Sequence, residues 1–333
     1  MIRGHRSART PRPSARSGAV PGLSRRVARG PGGAFSLLMR TLLSNRLALV
    51  GAVTLAVLAL VAVFAPWLAP HDPLRVNLPD ALLGPCSPYP LGTDQLGRDV
   101  LSRLIYGTRI SLLIGFIAVG IAVLMGAAVG SLAGYYGGWV DAVLMRLVDT
   151  LLSIPTIFLL LAVIAMDPAE RLLQLSAAPL LGGILRALFA AVDPHIIMLM
   201  AVIGLMSWMG VARLVRAEIL SLKEREFVLA ARGLGASPLR LITTHLLPNA
   251  MAPVLVSATL GVGGAILTES VLSYLGLGVQ PPTPSWGNIL NEGRVALGVA
   301  WWLTLSPGLC ILVTVLAFNL LGEGIRDWLS HHE

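Results

Sequence analysis

The 333-residue chain is 55% hydrophobic (AVILMFWYC) and only 13% charged, with a mean hydropathy of +0.78. Soluble domains carry about 25% charged residues, so lipid is the expected solvent for most of this chain, and a conventional water-soluble enzyme is excluded. The net charge of +8 does not indicate nucleic-acid binding, because ten of the 25 Lys and Arg, all of them Arg, lie in residues 1–46 beside the first apolar run.

Residues 1–40 read as an Arg-rich cytoplasmic tail, also rich in Pro, Gly and Ser and expected to be disordered. The first transmembrane helix is expected within 41–70. Leu47–Leu68 is 22 uncharged residues, long enough to span and too long for the core of a cleaved signal peptide. The pair Arg25-Arg26 lacks the apolar region that a twin-Arg export signal needs directly after it. Residues 71–108 follow as an extracytoplasmic loop with four Asp and three Arg. Asp94, Arg98, Asp99 and Arg103 can interlock there, while Gly92 and Gly97 suit turns. The loop reads as a folded plug, a contact for a partner protein or a plain connector.

The core, 109–329, is expected to hold five more spans, so the fold class is all-α with six transmembrane helices. The charge-free runs are 47–70, 110–140, 150–166, 196–212, 250–268 and 295–322. Arg146 and Asp149 are three apart and can pair on one helix face, and Pro155 is expected to kink the third span. This trio reads as a structural wedge or as part of a moving gate. The insertion 167–193 contains Arg171, Pro179, Gly182-Gly183 and Arg186 and is expected to be an interfacial or extracytoplasmic helix. A seventh span there would send the six basic residues of 213–240 outside, whereas six spans put 18 of 25 basic residues inside.

The loop 217–249 is then cytoplasmic. Ser221 and Glu224 have the spacing of a capping box. Gly233 and Gly235 supply a stop, and Ser237-Pro238 restarts a helix. Pro248 marks the start of the fifth span. Small Ala230 and Ala231, flanked by Arg225, Glu226 and Leu229, make either a knob for a partner protein or an amphipathic loop on the membrane surface. Further on, Glu269 sits near the outer end of the fifth span, where a carboxylate must face the bundle or water. It reads as pathway lining or gating, or as a polar contact to a neighbouring helix or loop. The segment "VQPPTPSWGN" is expected to form a rigid outer loop, with Trp286 at the membrane interface.

No catalytic, metal or cofactor-binding set is expected. Cys86 and Cys310 are far apart, and His195 and His245 are isolated. A P-loop needs Gly-Lys before Ser or Thr, but the one Lys, Lys223, follows Leu222.

Leu229, Ala230, Ala231, Gly235, His245, Leu247 and Pro248 resemble the coupling motif E-A-A-x3-G-x9-I-x-L-P of ABC importer permeases. Leu229 replaces the usual Glu and His245 the usual Ile. The stretches "PLGTDQLGRDVLSRLIYGTRISL", "GYYGGWVD" and "LGLGVQPPTPSWGN" resemble the C-type permease of dipeptide, oligopeptide and nickel importers, over about residues 40–329. The resemblance implies a type I importer fold in the cytoplasmic membrane with both termini cytoplasmic. It also implies a second, B-type permease, an extracytoplasmic solute-binding protein, and two ATPase subunits that hold ATP and Mg. Peptides are the implied solute, with nickel or another non-peptide solute as the alternative. An ion-coupled secondary transporter would show inverted repeats and more buried acids or His. A scaffold would show a soluble domain.

Overall fold

A computed structural model describes residues 45–166 and 193–330. The tail 1–40 and, apart from Asp193, the insertion 167–193 lie outside the described residues. Regular structure among the described residues is helical, as a lipid-embedded backbone requires when each N–H and C=O must find an internal partner. One antiparallel bridge, Thr93 to Asp99, is the exception.

The helices are α1 (Arg46–Val63), α2 (Val100–Tyr136), α3 (Gly138–Leu152), α4 (Thr156–Ala165), α5 (Pro194–Leu222), α6 (Glu226–Gly233), α7 (Pro238–Tyr274), α8 (Trp286–Val295) and α9 (Trp302–Ser330). Asn45 starts α1 by accepting the Leu47 and Ala48 N–H groups on its side chain. Along α1, Val50, Val53, Val57 and Leu60 stay exposed on the protein, as suits a lipid-facing stripe.

Several expected boundaries move. Helix α2 begins at Val100, capped by Asp99, about three turns earlier than the apolar run indicated. Arg103 does not break it because its charge is paired. The run 110–140 is cut at Gly137, whose φ of +65° ends α2. Helices α3 and α4 meet at an 84° bend, with Pro155 as the N-cap of α4, so the expected kink is a full break. Helix α5 continues through Ser221, and α6 starts at Glu226 after Arg225, which offers no side-chain cap, so the expected capping box does not form. Val215 and Ile219 carry the buried face of α5 onward and extend it. Helix α7 begins at Pro238 rather than near Pro248. A π segment, Leu241–Leu246, widens it just before Pro248, which can neither donate an N–H nor tolerate the preceding carbonyl.

Contacts fix the directions. Along α2 and α5 the touching positions rise together, from Ala118 against Gly204 to Gly126 against Val211, Gly130 against Ala212 and Gly134 against Ile219. These two helices are parallel. A Cβ on Gly126 would lie 2.5 Å from the Val211 Cβ, and one on Gly130 2.5 Å from the Ala212 carbonyl, so the glycines permit the close approach. Helix α7 runs antiparallel to α2, with Gly115 against Ile266. Helix α9 runs antiparallel to α7, with Gly263 against Phe318 and Gly322 against Leu260. Helix α1 runs antiparallel to α9, with Gly51 against Leu320 and Asn45 bonded to Asp327.

The bundle therefore has two ends. One carries residues 64–99 and 275–301, and the other carries residues 134–141 and 223–240. Because α2 and α5 are parallel, the chain must return across the bundle between Tyr136 and Pro194. Counting α3 and α4 as one broken span, the described helices make six crossings.

Candidate functional site

At the end bearing α6, a short knob stands on a rigid base. Val228 is fully buried and packs in one cluster with Val215, Ile219, Leu241, Leu246 and Ala250. The other side of α6 points away. Leu229 is 50% exposed, Leu234 90% and Leu239 71%. Exposed apolar side chains grouped along one short stretch suit a partner surface.

The knob ends in a Schellman motif, as the glycines led one to expect. The Gly235 N–H donates to the Arg232 carbonyl and the Ala236 N–H to the Ala231 carbonyl, with Gly235 at φ +82°. Ser237 then caps the next turn through the Arg240 N–H. Ala230 is exposed. Ala231 is half-buried and packs inward against the same cluster as Val228. Arg225 and Glu226 are exposed, Leu247 is half-buried and Pro248 is exposed.

Polar ties hold the knob to the bundle. The Arg232 guanidinium lies 5.9 Å from the centre of the Tyr135 ring at the end of α2. Lys223 donates to the Gly134 carbonyl at 3.4 Å. Arg216 of α5 grips Asp141 of α3 with two bonds of 2.5 and 2.6 Å. Asp149 pairs with Arg213 of α5 at 2.5 Å rather than with Arg146, which is a correction. Arg146 instead accepts the Thr150 hydroxyl on its carbonyl. Arg146, Asp149 and Pro155 remain close in sequence near this end, while Glu269 lies toward the other. The structure does not gather these four residues into one site.

At the opposite end the loop 71–99 is folded onto the bundle. Gly92 and Gly97 both have positive φ, and a Cβ on Gly97 would lie 1.8 Å from the Asn77 carbonyl oxygen. Asp94 accepts the N–H groups of Leu96 and Arg98 on its side chain. It also accepts Arg98 Nε at 2.6 Å, together with Arg103. Both guanidiniums reach on to Glu292 of α8, Arg98 at 3.0 Å and Arg103 at 2.9 Å. Arg103 is only 1% exposed, so this alternation of two carboxylates and two guanidiniums neutralises charge that could not otherwise be buried. Asp99 stays outside the set. It accepts the Ser102 N–H and hydroxyl and lies 3.3 Å from His71 Nδ1. The sequence showed the first three members, but nothing local marked Glu292 as the fourth.

Glu269 is fully enclosed. It accepts the hydroxyls of Ser273 at 2.7 Å and Ser285 at 2.9 Å. Ser285 is the N-cap of α8 in a capping box with Asn288, so Glu269 ties α7 to the start of α8. This geometry matches the polar-contact reading. Trp286 is also fully buried rather than interfacial, donating its indole N–H to the Leu104 carbonyl at 3.2 Å. The Pro-rich stretch lacked a helical pattern and so concealed the fact that a packed helix begins there.

Comparison with known proteins agrees with this architecture. Residues 126–332 match the family described as binding-protein-dependent transport system inner membrane component. Residues 34–85 match the N-terminal transmembrane domain of oligopeptide transport permease C. A dipeptide transport system permease protein, DppC, of Alkalihalophilus pseudofirmus is 39% identical over 291 residues, covering 87% of this chain and 88% of that one. DppC of Bacillus subtilis is 41% identical over 292 residues, covering 87% and 83%. An oligopeptide transport system permease protein, OppC, of Bacillus subtilis is 38% identical over 287 residues, covering 86% of each. With a family match over most of its length and relatives of this closeness, the chain belongs to the binding-protein-dependent inner-membrane components, the permease subunits of ABC importers.

Proposed function

We propose that this permease moves di- or oligopeptides across the cytoplasmic membrane, with the α6 end and both termini in the cytoplasm. The observation that carries the mechanism is the α6 knob, which exposes Leu229, Leu234 and Leu239 while Val228 anchors it. An ATPase subunit gripping the leucines cannot shift α6 alone. Val228 makes α6 move with α5 and α7, and Arg232 links it to α2. Closure of two ATPase subunits, which hold the ATP and Mg, is thereby passed to the spanning helices as a rigid-body rotation. Arg225, Glu226, Ala230, Gly235, Leu247 and Pro248 complete the coupling element, and the broken α3–α4 span is assigned to the moving part. A B-type permease supplies the other half of the pathway, and a solute-binding protein delivers peptide to the opposite end. The orientation is supported by charge, since 18 of 25 basic residues then face the cytoplasm. Peptide is the preferred solute because the relatives compared above are named for dipeptide and oligopeptide transport.

The test is reconstitution in proteoliposomes with the B-type permease, ATPases and binding protein. Uptake of a labelled dipeptide should require ATP and cease when the ATPases are omitted. Leu234→Asp, at an exposed position, should weaken ATPase co-purification while leaving the permease folded. Peptide uptake driven by an ion gradient without ATPases would defeat this reading.

A further inference from the structure

Beside the folded 71–99 loop, a cleft of about 440 Å³ lies between α2, the first turn of α5 and the loop before α8. Tyr106, Arg109, Ile110 and Leu113 line it from α2 at spacings of three and four, so they form one continuous helix face. Asp193 faces them from the start of α5, and Thr283 closes the third side. Arg109 is exposed and has no hydrogen bond or ion pair among the described residues, in contrast to its neighbour Arg103. The Asp193 Oδ1 accepts the His195 N–H and lies 3.2 Å from the His195 ring Nδ1, which leaves Oδ2 without a hydrogen bond among the described residues. One small cleft thus offers a free guanidinium and a half-free carboxylate, with apolar Ile110 and Leu113 beside them.

We propose that this cleft is a transit site for the zwitterionic backbone of a short peptide. Arg109 takes the terminal carboxylate, Asp193 takes the terminal ammonium, and the Ile110 and Leu113 face tolerates varied side chains. Its volume falls within the ~300–1,000 Å³ range of small-molecule sites. Opposite charges in one cleft select for a ligand that carries both, because either charge alone would leave one group of the site desolvated and unpaired. The inference rests on the peptide-permease reading and adds a site to it.

The test uses the complete importer in nanodiscs, without binding protein, and a dipeptide carrying a benzophenone side chain as photolabel. Labelling should map to α2 residues 106–113 and to 283–284, and Ala-Ala should compete. Arg109→Gln should weaken competition by Ala-Ala about tenfold or more, the scale of one lost charge-assisted hydrogen bond. It should leave competition by Ala-Ala-amide unchanged. Asp193→Asn keeps a helix-capping side chain and should weaken Ala-Ala but not N-acetyl-Ala-Ala. The inference is overturned if labelling maps elsewhere or is absent, if both variants compete like the parent, or if phosphoethanolamine competes better than Ala-Ala, which marks a lipid-headgroup site. The same complex in proteoliposomes, with binding protein and ATP, reports dipeptide uptake. Absent uptake sinks the peptide reading itself, whereas normal uptake with a failed cleft result sinks only this inference.

Discussion

Gly235 allows the proposed coupling element to be weakened by backbone conformation alone. Its φ is +82°, yet a Cβ built there would meet nothing within 4 Å. Steric collision is therefore absent, and any effect must come from the cost of holding an L-residue in the left-handed region. That cost is about 1–2 kcal/mol for an ordinary residue, smaller for Asn and larger for a β-branched one. Taking ~1 kcal/mol for Ala and ~2 kcal/mol for Val, the ratio of formed to unformed Schellman turn falls about 5-fold and about 30-fold. Peptide transported per ATP hydrolysed should then decline in the order Gly, Asn, Ala, Val. Expression and membrane insertion should not change, because the position is exposed. The assay is paired measurement of uptake and phosphate release in proteoliposomes. An unchanged ratio for Gly235→Val, or an Asn variant as damaged as the Val one, would refute the claim that this turn sets the knob.

Three further outcomes follow from other parts of the structure. Glu292→Ala leaves buried Arg103 with Asp94 as its one carboxylate partner, an uncompensated charge of the kind that costs about 3–5 kcal/mol. The purified complex should melt several degrees lower, and Asp94→Asn combined with Glu292→Ala, which leaves both guanidiniums without a carboxylate, should cost at least the sum of the two. Gly130→Leu should abolish accumulation of folded permease, since even a Cβ lies 2.5 Å from the Ala212 carbonyl, while Gly120→Ala has open space and should accumulate normally. Both can be read by fluorescence-detected gel filtration. Exposed Cys86 should react with an impermeant maleimide from outside intact cells, and Ser237→Cys should react only after the cells are opened.

Much of this was legible in the sequence because lipid imposes a simple rule. Uncharged runs of 17 or more residues marked each crossing among the described residues, and Gly235 with Ser237-Pro238 marked the knob. What the sequence hid was charge compensation across long separations. Arg103 read as part of the loop 71–108 rather than of α2, because its partner Glu292 is 189 residues away. Trp286 looked interfacial because tryptophan commonly is, and its acceptor, the Leu104 carbonyl, lies on another helix. Ser221 and Glu224 satisfied a local capping pattern, yet the apolar face of α5 continued through them. Tertiary burial outweighed a cap worth about 1 kcal/mol.

The length of α2 has a mechanical meaning. At 1.5 Å per residue its 37 residues extend about 55 Å, well beyond the ~30 Å of hydrocarbon. One extremity carries Tyr135 under Arg232, and the other is held by Arg103. Glycine contacts along the shared seam keep α5 from slipping past it. Such a rod is a lever with its pivot in the bilayer. A tilt of about 5° about its midpoint carries each end through roughly 2–3 Å in opposite directions, from the rise per residue alone. Under the proposed coupling, a nudge on the knob would reach the cleft around Arg109 as lateral travel, in a single stroke and without any helix having to unwind.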